Sequence, residues 1–493
     1  MANDIRYIAV SDVHLGAANS IFTQVDDTGQ VDTRRPSPVI APLVDCLHEL
    51  VAGNSSPQRP TLIAHGDLVD LALSPPDVAL AVFGQFVTAL LGADRPLIDD
   101  EIVLLPGNHD HLVWEYTRER WLEDHLLDVM SGELAPGFTT SRRIGPMRLD
   151  AEPRFENTLL SALAKRSSNL AGLRMRVLYP DLVLSSPGGD RAVLVTHGQY
   201  IESASKVMSG FLRMIAPQIP EPTDVATMEE ENWPWLDFFF SSMTRSGKPG
   251  ALIAAIYEVS QDTHDLDQLV DLVARNVTAH SGKVLGSLER LGIRHGVGAI
   301  VDRIATSRER GVTTQLLTDD TRAGLATYLG SLRARLQDDA PALPADVSLI
   351  IGHTHKPFRE RWPDGHWPGG GVRVFNTGGW VVDHAVAQPL MGGAVALISA
   401  ELDVAMVRLY QQLDEPDDWR IGVDTVEPGA GGAAFAERIR AAIRPDEPPW
   451  SSFSAAAADA VRERRKHVSE LLQGNLEVLR KPGDPPDPRS SMR

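Results

Sequence analysis

An α/β fold is expected from three features of this chain. Short, mostly apolar runs recur and each stops at a polar loop. Helix-length segments separate them. The residues with chemical capability cluster just beyond the apolar runs. Alternation of this kind implies a largely buried sheet with helices packed on its faces. In open α/β sheets, sites form at the carboxyl ends of the strands.

The first run, Ile5 to Val10, leads to Asp12-Val13-His14. Leu62 to Ala64 leads to His65-Gly66-Asp67, and Ile102 to Leu105 leads to Pro106-Gly107-Asn108-His109-Asp110. Val39 to Val51 and Val78 to Leu91 read as the intervening helices. The pattern returns with Ala192 to Val195 before Thr196-His197-Gly198 and with Val347 to Ile351 before Gly352-His353-Thr354-His355. Val372 to Phe375 follows, before Asn376-Thr377-Gly378-Gly379-Trp380, which reads as a tight turn beneath the site. Ala394 to Ile398 and Val404 to Leu409 read as a closing hairpin.

Between these blocks the character changes. Leu266, Leu269, Val270, Val273 and Val277 follow helical spacing, so residues 203–341 are expected to form a helical insertion above the site. Residues 1–202 and 342–411 then form one discontinuous catalytic core, with a smaller irregular insertion after His111. Residues 412–493 form a C-terminal extension with helices from Ala433 to Ile443 and from Ala455 to Leu479, and 481–493 are expected to be disordered. Trp233, Trp235, Phe238, Phe239 and Phe240 make a dense aromatic cluster within the insertion. It reads as packing for the insertion or as a pin to the core, with a lid over an apolar or lipid-like substrate as the sharper alternative.

At 493 residues the chain is too long for one compact core, and 43% hydrophobic residues supply ample material for burial. The formal net charge is -19. Such a surface repels polyanions, which counts against nucleic acid as a partner. Cys46 is the single cysteine, set on an apolar helix face, and it reads as a buried structural thiol. The absence of a disulfide framework and of any signal-peptide pattern or bilayer-length apolar run leads us to expect a cytoplasmic protein.

The residues beyond the strands form a donor set. Asp12 and His14 lie two apart, so both can point the same way on an extended segment. Asp67 and Asp70, then Asn108, His109 and Asp110, then His197, then His353 and His355 complete it. Mixed imidazole and carboxylate donors without thiolate suit Mn, Fe, Zn, Ni or Co. There are more donors than one ion needs. Two cations about 3.5–4 Å apart would use them and clamp the attacking and departing oxygens of a phosphoryl group.

Taken together, Asp12-Val13-His14, Gly66-Asp67-Leu68-Val69-Asp70, Gly107-Asn108-His109-Asp110, His197 and Gly352-His353-Thr354-His355 resemble the five-part signature of the calcineurin-like metallophosphoesterase superfamily, in order and in spacing. The resemblance covers Asp12 to Asp110 and Val193 to about Trp380, not the insertion or the C-terminal extension. It implies a β-sandwich flanked by helices (α/β/β/α) and a dinuclear centre, with manganese as the first expectation for the two divalent ions. Asp12, His14, Asp67 and His355 would hold the first ion, with Asp67 bridging. Asn108, His197 and His353 would complete the second. A metal-bridging hydroxide would attack phosphorus. His109 would act as general acid or electrostatic stabiliser, Asp110 would orient it, and Asp70 would hold a ligand histidine. Asn108, His109 and His111 are candidate substrate contacts, whereas His65 reads as a bystander.

Departures narrow the branch. Leu71 and Asp110 stand where protein Ser/Thr phosphatases carry arginine and glutamate, and His109 stands where UDP-diacylglucosamine pyrophosphatases typically carry arginine. Gln199 replaces the Asp or His found two residues beyond the lone histidine in several branches. The expected activity is hydrolysis of a phosphomonoester, phosphodiester or phosphoanhydride of a small molecule, with peripheral lipid contact through the insertion. The alternatives are a nuclease of the same superfamily and a non-catalytic scaffold that binds a partner protein through the insertion.

Overall fold

The computed structural model describes residues 3–132, 172–247 and 314–479, apart from positions 93, 244, 340–341, 364 and 427–429. It also describes 142–144, 160, 170, 309 and 311. The helical spacing from Leu266 to Val277 and the tail 481–493 lie outside the described residues.

Two mixed sheets stack face to face. The first contains β1 (Ile5–Val10), β2 (Thr61–Ala64), β3 (Glu101–Leu104), β5 (Arg174–Val177), β11 (Gln388–Ser399), β12 (Val404–Gln412) and β13 (Gly422–Asp424), in the order β13-β12-β11-β1-β2-β3-β5. Strands β1, β2, β3 and β5 run parallel, and β11 pairs antiparallel with β1 and β12. The second contains β4 (Arg142–Ile144), β6 (Asp181–Ser185), β7 (Arg191–Thr196), β8 (Asp346–Ile351), β9 (Pro357–Pro363) and β10 (Gly371–Thr377), in the order β4-β6-β7-β8-β10-β9. Here β7, β8 and β10 run parallel.

Period-2 alternation divides each strand between two cores. Tyr7, Ala9, Ile63 and Val103 of the first sheet meet Leu182, Val193, Val195, Ile350 and Phe375 of the second in the inter-sheet layer. On the other face of the first sheet, Ile8, Val10, Leu62 and Ile102 pack with helices α1 (Ile40–Ala52) and α2 (Pro76–Leu90). Cys46 is buried on α1. Helix α3 (His111–Asp124) starts directly after the Asn108-His109-Asp110 loop and is followed by α4 (Leu126–Met130). The stretch expected to be irregular is therefore helical at its start, because its apolar residues Leu112, Val113 and Trp114 are drawn into the first core.

Residues 203–341 contribute α5 (Val207–Ile215), α6 (Val225–Leu236), a π-helical segment Asp237–Met243 and α7 (Asp319–Asp339). Leu325, Tyr328, Leu329, Leu332 and Leu336 of α7 share one buried cluster with Leu349, Ile351, Val372 and Val374. Helix α7, within the stretch expected to be an insertion, thus supplies the outer helical layer of the second sheet, which makes the architecture α/β/β/α. Near the C-terminus lie α8 (Ala430–Ala442) and α9 (Trp450–Leu479), whose Phe435, Trp450, Phe453 and Val461 join the first core. Arg464 of α9 is buried and donates to the carbonyls of Ser20 and Thr23. No described helix is long and apolar enough to cross a membrane.

Candidate metal centre

The parallel strands β1, β2, β3, β7 and β8 deliver their C-terminal loops to one place between the sheets. The main chain continues to pair past the strand ends: Asp12 N–H donates to Gly66 O at 3.0 Å, His14 N–H to Asp67 O at 2.8 Å, and Gly352 N–H to His197 O at 2.9 Å. Close approach demands glycine at the crossings. A Cβ on Gly66 would fall 2.1 Å from the His197 ring, and one on Gly352 would fall 2.3 Å from Asp12 Oδ2. Among the described non-glycine residues, those with φ between 48° and 69° are Asp12, His14, Asp67, His353, His355 and Leu402. Five of the six are candidate metal ligands. Side chains adopt this left-handed region at a cost of roughly 1–2 kcal/mol each, so the fold holds strained backbone where the donors are.

The donors form three buried groups: Asp12, His14 and His355; Asp67, His197 and His353; and His14, Asp70 and His109. Within each group the ligand atoms lie within 4.8 Å of one another. Asp67 joins the first two groups. Its Oδ2 is 3.6 Å from His14 Nε2 and 3.3 Å from His197 Nε2, and its Oδ1 accepts from His109 N–H at 2.7 Å. His355 Nε2 is 3.3 Å from Asp12 Oδ1, His353 Nδ1 is 3.2 Å from His197 Nε2, and Asn108 Oδ1 is 3.1 Å from His197 Nε2. Carboxylate and amide oxygens and imidazole nitrogens gathered out of water fit divalent first-row cations.

Electrostatics follow from this crowding. Burial opposes ionisation of Asp12, but the charges of His197 and His355 hold its carboxyl well below the usual range. Asp67 is likewise held low by His197 and His109 despite burial. Burial would also lower His197, yet the Asp67 and Asp12 carboxylates raise it to about 9. His14 goes the other way, lowered by burial.

Asp70 and Asp110 divide their roles differently from the sequence expectation. Asp70 Oδ2 lies 3.2 Å from His109 Nδ1 and 3.2 Å from His14 Nδ1, so one carboxylate oxygen meets both rings. Asp110 was expected to orient His109. Its carboxylate instead accepts the backbone N–H groups of Gly107 at 2.6 Å, Leu68 at 2.9 Å and Asp67 at 3.2 Å, bracing the β2 and β3 loops against each other. Burial and the Asp67 charge push the Asp110 carboxyl up to about 7. The expectation of a substrate contact at His111 also gives way. The ring is fully buried, with Nδ1 2.7 Å from Asp237 Oδ1 and Nε2 3.1 Å from Tyr179 Oη. His65 is buried too, and its Nε2 is 3.2 Å from Thr377 Oγ1.

No protein-family model and no curated protein matches the chain in sequence. Among solved structures it is similar to a dimetal phosphatase from Danio rerio, at 11% sequence identity and a TM-score of 0.28, over 82% of this chain and 94% of that one.

Two acidic residues at the centre have no place in any sequence motif. Asp383 Oδ2 lies 2.6 Å from His355 Nδ1, while Asn19 donates to its other oxygen at 3.1 Å. Glu202 Oε1 lies 3.4 Å from His353 Nε2. Asp383 follows the Asn376-Thr377-Gly378-Gly379-Trp380 turn, where a Cβ on Gly379 would fall 2.7 Å from the His355 ring. A carboxylate shortly after such a turn was the available signal. Gln199 donates to Tyr179 Oη at 3.2 Å and is buried.

Proposed function

We propose that this chain is a two-metal phosphohydrolase acting on a phosphomonoester, phosphodiester or phosphoanhydride of a small molecule. The observation that supports it most is Asp67 Oδ2, set between His14 of one donor group and His197 of the other. In this reading Asp12, His14, Asp67 and His355 hold one divalent ion, and Asp67, Asn108, His197 and His353 hold the second, with manganese the first candidate. Bound there, such ions acidify water and neutralise charge on phosphoryl oxygens.

The chain's own residues supply positioning and proton transfer. Asp70 engages Nδ1 of His109, which leaves Nε2 to give a proton to the departing oxygen. The same carboxylate fixes the His14 ring, so the acid and a ligand share one anchor. Asp383 plays the corresponding part for His355.

The test is hydrolysis of p-nitrophenyl phosphate and bis(p-nitrophenyl) phosphate by metal-stripped and manganese-loaded protein, with Asp67→Ala and His109→Ala alongside. Manganese-dependent turnover that falls at least a hundredfold in both variants is expected. Turnover that survives Asp67→Ala, or no turnover of any phosphoester by protein carrying two ions, overturns the reading.

A further inference from the structure

Among the described residues of 203–341, a short aromatic segment reaches the centre. Helix α6 contains Pro234, which has no N–H and crowds the carbonyl four residues back. Three residues later it passes into the π-helical Asp237–Met243. Single π turns within helices occur frequently at functional sites. Phe240 on this segment has its ring centroid 5.5 Å from that of His109, tilted by 46°. Behind it the aromatic rings continue outward. Phe239 meets Phe240 edge to face at 4.9 Å, Trp235 stacks on Phe239 at 5.3 Å, and Phe238, at 6.2 Å from Trp235, is 48% exposed.

A clasp holds this wall in place. Asp237 Oδ1 lies 2.7 Å from His111 Nδ1, and Oδ2 accepts from Arg118 Nη2 at 2.8 Å. The Arg118 guanidinium also sits 4.1 Å over the Trp233 ring. His111 and Arg118 both belong to α3, the helix that starts where Asn108-His109-Asp110 ends. The aromatic segment is therefore tied to the helix that directly follows the candidate acid. Trp235 Nε1 secures the other side by donating to Ala204 O at 3.1 Å.

We infer that Phe240 is a specificity-determining residue: it walls the leaving-group side of the centre and selects phosphoesters whose leaving group has an alkyl or aryl body. The inference rests on the phosphohydrolase reading, because the group beside the acid is the one that departs. An aromatic face there rewards apolar surface, whereas a polar leaving group would lose water without gaining hydrogen bonds. Asp237 is the positioning residue that keeps Phe240 against His109.

The experiment compares ethyl and octyl phosphate as substrates of the manganese-loaded full chain. The two alcohols have similar acidity, so the chemical step is matched. Ethylphosphonate and octylphosphonate, which are not hydrolysed, report binding alone. Burial of only two methylenes gives about tenfold, so an octyl preference of tenfold or more is expected in both kcat/KM and affinity. Phe240→Ser should bring both ratios to within about threefold of unity. Phe240→Leu, which keeps an apolar side chain, should retain most of the preference, and Asp237→Asn should fall between. Circular dichroism and metal content confirm that each variant is folded. Hydrolysis of both esters without an octyl preference overturns the inference and leaves the phosphohydrolase reading standing, as does a preference that Phe240→Ser does not move. Octyl-selective phosphonate binding lost in Phe240→Ser, with neither alkyl ester and neither p-nitrophenyl ester hydrolysed, retains the wall and overturns the phosphohydrolase reading. Failure to hydrolyse or bind any of the four overturns the inference, and failure to hydrolyse either p-nitrophenyl ester as well overturns both.

Discussion

Replacing Asp110 tests whether this carboxylate braces the loops or steers His109. It accepts three backbone N–H groups, from Gly107, Leu68 and Asp67, and it is completely buried. Asp110→Ala strands three donors. At about 1–3 kcal/mol per unsatisfied buried group, and with some relief from water entering the vacated space, a loss of about 3–6 kcal/mol is expected. Asp110→Asn keeps an acceptor oxygen and removes a charge that burial already penalises. It strands one donor and should cost about 1–2 kcal/mol. Urea unfolding of the metal-stripped protein at pH 7 measures both. The rate test uses Asp70→Asn as the reference. Removing the oxygen that meets the His109 ring should cost a large part of the 10²–10⁴-fold that general-acid catalysis provides, and at least tenfold more than Asp110→Asn. An Asp110→Ala cost below about 1 kcal/mol would refute the bracing argument. Asp110→Asn slower than Asp70→Asn would restore Asp110 as the residue that orients His109.

Two further outcomes follow from the donor geometry. With His197 raised to about 9 by Asp67 and Asp12 against the opposing effect of burial, the stripped protein carries a proton there at pH 7.5, and ligation requires a neutral ring. Manganese binding should therefore release about one proton or more, and apparent affinity should rise with pH up to about 9 before levelling. Calorimetry in buffers of different ionisation enthalpy reads the proton count, and a slope of zero contradicts the assignment. Asp383→Ala deprives His355 Nδ1 of its 2.6 Å partner and should weaken manganese binding by about 10–100-fold in a direct titration, whereas unchanged affinity would sink the orienting role.

Local pattern carried much of the architecture. The apolar runs at Ile5, Leu62, Ile102, Ala192, Val347 and Val372 are strands β1, β2, β3, β7, β8 and β10, and the hairpin near the end is β11 with β12. Such runs are legible because a strand buried on both faces needs unbroken apolar residues. Strands β5 and β9 were not legible. Arg174-Met175-Arg176-Val177 carries two arginines, and Pro357–Pro363 is an edge strand bounded by prolines and rich in charge.

By itself, the sequence determined which side chains stand at the strand ends: Asp12, His14, Asp67, Asn108, His197, His353 and His355 follow their apolar runs within a few residues. Spacing along one chain suffices for that, since an extended segment presents alternate residues to the same side. Partner choice was decided only in three dimensions. Asp70 and Asp110 both lie close to His109 in space, but the path of the β2 loop brings Asp70 to its ring and turns Asp110 toward backbone N–H groups. Asp383 reaches His355 across a 28-residue separation, and Asp237 reaches Arg118 across 119. The left-handed backbone at five donors and the aromatic wall at Phe240 likewise exist only once the sheets and the insertion have packed. A hydrogen bond or ring contact is set by distance in space, which tertiary packing establishes and local sequence pattern does not encode.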